Sequence, residues 1–171
     1  EYLERAVALC RRHDILLAYD NPYCEITFDG YVAPSIFEIP GAKEIAVEFH
    51  SLSKSFCMTG WRLGWAVGRA DRIAALAKVK NYVDTGAFLP VQVAGAEVLQ
   101  QAERLAAEYA AQFKERRDAI LPALRANGFE AETPRATMYV WVPLPEGLAS
   151  AAFQQRALED AGVVTLPGSA F

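Results

Sequence analysis

The sequence predicts an α/β protein, and three observations carry that reading. Short apolar runs of strand length recur in the first half, at ILLAYD (15–20), EIAVEFHSLS (44–53) and RLGWAVG (62–68). Helical patterns flank them at 1–13 and 70–83. After a long alanine-rich helical stretch, a strand–helix–strand pattern closes the chain. Such alternation points to helices layered on a mostly parallel sheet.

Each element has a local cause. In EYLERAVALCRRH, Leu3, Val7 and Cys10 (or Leu3, Ala6 and Cys10) fall on one helical face. ILLAYD is short and nearly all apolar, as a buried strand requires, and the DNPY loop follows it. EIAVEFHSLS delivers Lys54 at or just past its C-terminal end, and Gly68 ends the third run. ADRIAALAKVKNYV repeats Ile73, Leu76 and Val79 at helical spacing, up to the break at Asp84-Thr85-Gly86. From Leu89 to Asn127 the chain reads as helix, with Pro90 suited to a first turn and Asn127-Gly128 as a stop. Pro122 is expected to kink that stretch or to end a segment within it. TMYVWVPL (137–144) alternates like a strand, AAFQQRALEDAG is a short amphipathic helix, and VVTLP is a final strand. The domain boundary is expected near residue 115, giving units 1–115 and 116–171.

Composition narrows the function. The chain has 171 residues, 53% hydrophobic and 22% charged, with a net charge of −4. That is a soluble globular composition with no basic footprint for nucleic acid. No apolar run approaches a bilayer span, so no membrane partner is expected. Cys10, Cys24 and Cys57 are odd in number and show no CxxC spacing, which argues against a disulfide framework. His13 and His50 each stand alone on their elements, so no metal is expected, and a reducing, cytoplasmic setting is. Helical pattern starts at Glu1 with no cap before it, and PGSAF stops in mid-loop, so the chain is expected to be a fragment.

The chemistry concentrates in SLSKSFCMTGWR, 51–62. Lys54 sits among Ser51, Ser53 and Ser55 at a strand end, where a partly desolvated amine can serve as a nucleophile toward a carbonyl. Arg62 presents a planar fork of donors that matches phosphate, and serine hydroxyls add to it. An amine beside an anion pocket suits an aldehyde cofactor with a phosphate tail, and pyridoxal phosphate has both features. Asp20 ends an apolar strand, where a carboxylate needs a cationic partner. A protonated pyridine nitrogen is such a partner, and Tyr23 can hydrogen-bond a ring oxygen. A turn-initiating Asp20 and a serine-rich surface turn are the bland alternatives.

Taken together, these residues resemble the class I/II aminotransferases, fold-type I pyridoxal-phosphate enzymes. The family's D-x-x-Y is matched by Asp20 and Tyr23. Its S-x-S-K, with an arginine eight residues on, is matched by Ser51, Ser53, Lys54 and Arg62. Cys57 departs from the pattern, which usually has asparagine or glycine there. The resemblance covers the whole chain but only part of the family's length. It implies the C-terminal part of a large mixed-sheet cofactor domain plus most of a small α/β domain. It further implies that Lys54 holds pyridoxal 5'-phosphate as a Schiff base and then moves the substrate's proton. Asp20 would face the ring nitrogen, Tyr23 the ring oxygen, and Ser51, Ser53 and Arg62 the phosphate. Amino-acid and 2-oxo-acid substrates and a homodimer are implied too, with the segment around Thr85 a candidate for the dimer contact. The elements that complete such a site lie outside 1–171, so the fragment alone is expected to be inactive. VDTGAF (83–88) is similar to a stretch of LL-diaminopimelate aminotransferases. A carbon–sulfur β-lyase and the ligand-sensing half of a transcription regulator remain as alternatives.

Overall fold

Leu3, Val7 and Cys10 place one apolar stripe along Tyr2–Arg12, and the computed structural model, which describes residues 1–171, folds that segment into helix α1. Val7 and Cys10 are its buried residues. The three apolar runs form β1 (Leu17–Asp20), β2 (Ala46–Ser51) and β3 (Gly64–Gly68), in sheet order β1-β2-β3. β1 runs parallel to β2, whereas β3 returns antiparallel. The sheet is therefore mixed, as the family resemblance implied, with one parallel and one antiparallel pairing where the residue pattern suggested a mostly parallel sheet. The reason lies in the connections: a long segment separates β1 from β2, but only a short loop separates β2 from β3.

Between β1 and β2 the chain makes two single turns of 3-10 helix, Ile36–Glu38 and Ala42–Glu44. The first is fixed by a capping box in which Ser35 Oγ accepts from Phe37 N and Glu38 accepts from Ser35 N. Ile36 and Ala42 pack with Val7 of α1 and Ala46 of β2, and Leu3, Leu17, Tyr19 and Ile45 close around them. Burying a side chain the size of Ile36 contributes about 1.5–3 kcal/mol.

After β2 comes a single helical turn, α2 (Leu52–Ser55), and the chain then passes through β3 into α3 (Ala70–Asp84), α4 (Leu89–Gln100) and α5 (Ala102–Ala126). The helical stretch expected from 89 onward is thus two helices meeting at Gln101. Pro122 ends nothing, because α5 continues past it to Ala126. One missing amide donor and one ring clash are absorbed within a 25-residue helix. Leu52, Phe56, Met58 and Ala106 form a second buried cluster, joined by Leu63, Trp65 and Val98. No helix is long and apolar enough to cross a membrane.

The chain divides into two compact units: Glu1–Arg116 with Arg135–Met138, and Arg117–Pro134 with Tyr139–Phe171. The second contains α6 (Ser150–Ala161), which ends at Gly162 in the left-handed conformation, φ 65°. Phe153 of α6 meets Phe129 edge-on, with centroids 6.0 Å apart. Arg125 donates to the Ala131 carbonyl and to Thr133 Oγ1 at 2.7 Å. The strands expected at 137–144 and 163–167 do not form. Alternation in a sequence describes side chains, whereas a strand also needs a ladder partner for its backbone. Beyond Thr137, whose amide donates to Ile26 O at 2.8 Å, residues 138–144 join no ladder.

Candidate active site

Register decides which residues share the sheet end. Asp20, the last residue of β1, lies beside Phe49, and Ser51 ends β2 beside Gly64. The two parallel strands therefore deliver Asp20 and Ser51 to the same edge, the carboxyl end where α/β sheets bind ligands. Because β3 returns antiparallel, the loop 52–63 leaves that edge and comes back to it. Leu52 N donates to Leu63 O at 3.1 Å, and Arg62 is held next to that closure. A Cβ on Gly64 would stand 2.6 Å from His50 O, so glycine is required for β3 to approach this closely.

Lys54 lies on the single turn α2, half-buried, with Nζ 6.0 Å from the centroid of the Tyr23 ring. Ser51 caps that turn: its Oγ accepts from Ser53 N at 3.1 Å and donates to Leu63 O at 3.5 Å. Ser53 is buried, and its carbonyl accepts from Thr59 Oγ1 at 2.9 Å. Arg62 is exposed and donates from Nη1 to Thr59 O at 2.9 Å. Its φ of 54° lies in the left-handed region, as does that of Cys57 at 53°. Non-glycine residues rarely adopt that conformation without strain, and asparagine tolerates it best. That explains why asparagine or glycine suits position 57 and why Cys57 is the odd choice.

The structure thus brings Lys54 to Tyr23, and Ser51 to the edge that bears Asp20. Asp20 is exposed and is not ion-paired with Lys54. An aldehyde cofactor with a cationic ring and an anionic tail fits this donor set. It finds a half-buried amine beside a phenol, a carboxylate at the strand end and a guanidinium on the returning loop. Ser51 fits less directly, since its hydroxyl already serves as a cap.

Residues that the sequence reading did not single out hold the 20–24 loop from behind. Glu48, 1% exposed, lies on the opposite sheet face from Asp20. Its Oε1 accepts from Asn21 Nδ2 at 3.0 Å and faces His50 Nε2 at 3.2 Å. Its Oε2 accepts from Ser35 Oγ at 2.6 Å and from Ile36 N at 3.1 Å. His50 stacks on Trp65, centroids 5.2 Å apart, and its Nδ1 lies 3.6 Å from Cys24 Sγ. His50, the only histidine of β2, thus packs with a carboxylate, an indole and a thiol. Ser55 Oγ donates to Pro22 O at 3.3 Å. Burial first, then the Glu25 and Glu48 carboxylates, push the Cys24 thiol up to about 11. The signal that pointed here was Glu48 itself, a carboxylate inside the apolar run AVEFH, which requires partners. His50 follows at i+2, on the same face.

Three comparisons bear on this geometry. A family model described as aminotransferase class I and II matches residues 1–171. The LL-diaminopimelate aminotransferase of Moorella thermoacetica is 46% identical over 171 residues, covering 100% of this chain and 44% of that protein. The glutamate-pyruvate aminotransferase AlaC of Escherichia coli K12 is 42% identical, covering 100% of this chain and 42% of its own length. A solved structure from Thermus thermophilus, described as a probable N-succinyldiaminopimelate aminotransferase, superposes with a TM-score of 0.91 at 39% identity. It covers 99% of this chain and 45% of its own. The chain spans less than half the length of the relatives it matches.

Proposed function

Because the chain belongs to the class I and II aminotransferase family, we propose that the whole protein moves an amino group between an amino acid and a 2-oxo acid, using pyridoxal 5'-phosphate. The observation that carries this is the Lys54 amine facing Tyr23 at the sheet edge that bears Asp20. In this reading the unit around β1–β3 is part of the cofactor domain, and the segment from about residue 116 belongs to the small domain.

When bound, the cofactor supplies an aldehyde and a ring that takes up the electron pair left on the substrate Cα. The protein's residues do the rest. Lys54 Nζ would hold the aldehyde carbon and, as a free amine, would serve as the base that takes the proton from the substrate Cα and returns it to the cofactor side. The Asp20 carboxylate holds the proton on the ring nitrogen, and the Tyr23 hydroxyl donates to the ring oxygen. Arg62 and Ser53 bind the phosphate. Ser51, whose Oγ donates to Leu63 O at 3.5 Å and accepts from Ser53 N, would join them from the same turn.

The diaminopimelate class is the substrate we favour, supported by VDTGAF and by the M. thermoacetica relative at 46% identity. The E. coli relative, named for glutamate and pyruvate, supports a second choice. A homodimer in the cytoplasm, with residues around Thr85 at the dimer contact, completes the reading. The test is an assay of the full-length protein with LL-diaminopimelate or alanine as donor and 2-oxoglutarate as acceptor. Glutamate formation is expected. A parallel assay supplies L-cystathionine, whose β-thiolate can leave; release of pyruvate, ammonia and thiol from it, with no glutamate formed from either donor, identifies a β-lyase instead and overturns the proposal.

A further inference from the structure

We propose that Glu48 is a positioning residue whose buried carboxylate fixes the 20–24 loop, so that Tyr23 stays against Lys54 and Asp20 stays at the sheet edge beside them. The inference rests on the aminotransferase reading, since only that reading gives Asp20 and Tyr23 their tasks.

The geometry assigns the role to a carboxylate. Four donors converge on Glu48: Asn21 Nδ2 and His50 Nε2 at Oε1, and Ser35 Oγ and Ile36 N at Oε2. An acceptor-only group satisfies all four, whereas an amide turns its NH2 toward two donors. These partners lie on three separate stretches, the loop after β1, the turn at 35–36 and β2 itself. Asn21 follows Asp20 directly, so the first strut sets where the Asp20 carboxylate leaves the sheet.

The second strut runs through His50. With Nε2–H donated to Glu48, Nδ1 keeps its lone pair toward the Cys24 thiol at 3.6 Å. Glu25 Oε1, at 3.8 Å, is the thiol's other acceptor. Tyr23 is thereby flanked on one side by Pro22, whose carbonyl takes the Ser55 hydroxyl, and on the other by Cys24. Struts on either side of Tyr23 restrict the loop more than one would, because each fixes a different end of a short segment. Burial also raises the thiol, so Cys24 keeps the proton that the strut uses.

The test uses the full-length protein with two near-isosteric variants, Glu48→Gln and His50→Phe. The second keeps the stack on Trp65 and loses both ring nitrogens. Each is stripped of cofactor and then titrated with pyridoxal 5'-phosphate, and Cys24 alkylation in the stripped protein is followed peptide by peptide. Glu48→Gln is expected to raise the cofactor Kd at least tenfold, to alter the absorption band of the bound cofactor, and to speed Cys24 labelling. His50→Phe is expected to speed Cys24 labelling and to raise the Kd severalfold. A folded Glu48→Gln protein with unchanged Kd, band and labelling overturns the inference. If Glu48→Gln does not fold, unchanged values in His50→Phe overturn it. If the unsubstituted protein binds no cofactor, the aminotransferase reading is what fails, and Cys24 labelling still reports on the struts.

Discussion

Replacing Gly95 by alanine sets two effects of similar size against each other, and the structure decides between them. Gly95 lies in the middle of α4 and is buried. In a helix, alanine is favoured over glycine by about 1 kcal/mol, so propensity alone predicts a more stable protein. A Cβ here, however, would collide with Leu63 Cδ2 and stand 3.0 Å from Leu52 Cδ1. Leu52 is 1% exposed, packed among Phe56, Met58 and Ala106, so it has nowhere to retreat. Overpacking of this kind costs about 1–3 kcal/mol, and the upper half of that range exceeds the gain in propensity. The expected net loss is about 1 kcal/mol. Leu52 also begins the turn that carries Lys54, so the displaced side chain disturbs the site. Urea unfolding of the full-length protein, compared with Gly95→Ala, measures the sum. A variant stabilised by about 1 kcal/mol shows that α4 moves away freely, and it refutes the packing argument.

Two further outcomes follow from residues around the site. With its thiol at about 11 against an ordinary value of 9.0, Cys24 carries about a hundredfold less thiolate at pH 8. Its alkylation is expected to be slower by that factor than in urea-denatured protein, and to climb with a midpoint near 11. A midpoint near the ordinary value contradicts the burial assigned to it. At Cys57, φ 53° favours asparagine, so Cys57→Asn is expected to stabilise the protein by about 0.5–1 kcal/mol in chemical unfolding. A loss of stability there shows that the loop is not strained.

What the sequence made legible was whatever depends on neighbouring residues. α1, the three strands and α3 follow from periodicity within one segment, and the structure moves their ends by only a few residues. Lys54 and Arg62 stood out because the turn between them is short and rich in donors. The parts that escaped depend on partners distant in sequence. TMYVWVPL alternates as a strand does, yet alternation cannot supply a ladder. Pro122 looks like a breaker until the rest of α5 is there to absorb it. Asn21, Ser35, Glu48 and His50 are individually ordinary, and they become a cluster only because parallel pairing sets Tyr19 beside Glu48.

The central claim is that Lys54 holds the cofactor, and reductive trapping tests it most directly. Full-length protein incubated with pyridoxal 5'-phosphate is reduced with borohydride, digested, and its modified peptide sequenced by mass spectrometry. A single modified residue, Lys54, within SLSKSFCMTGWR is expected, with no trapping in Lys54→Ala. Modification of a different lysine, or none at all, contradicts it.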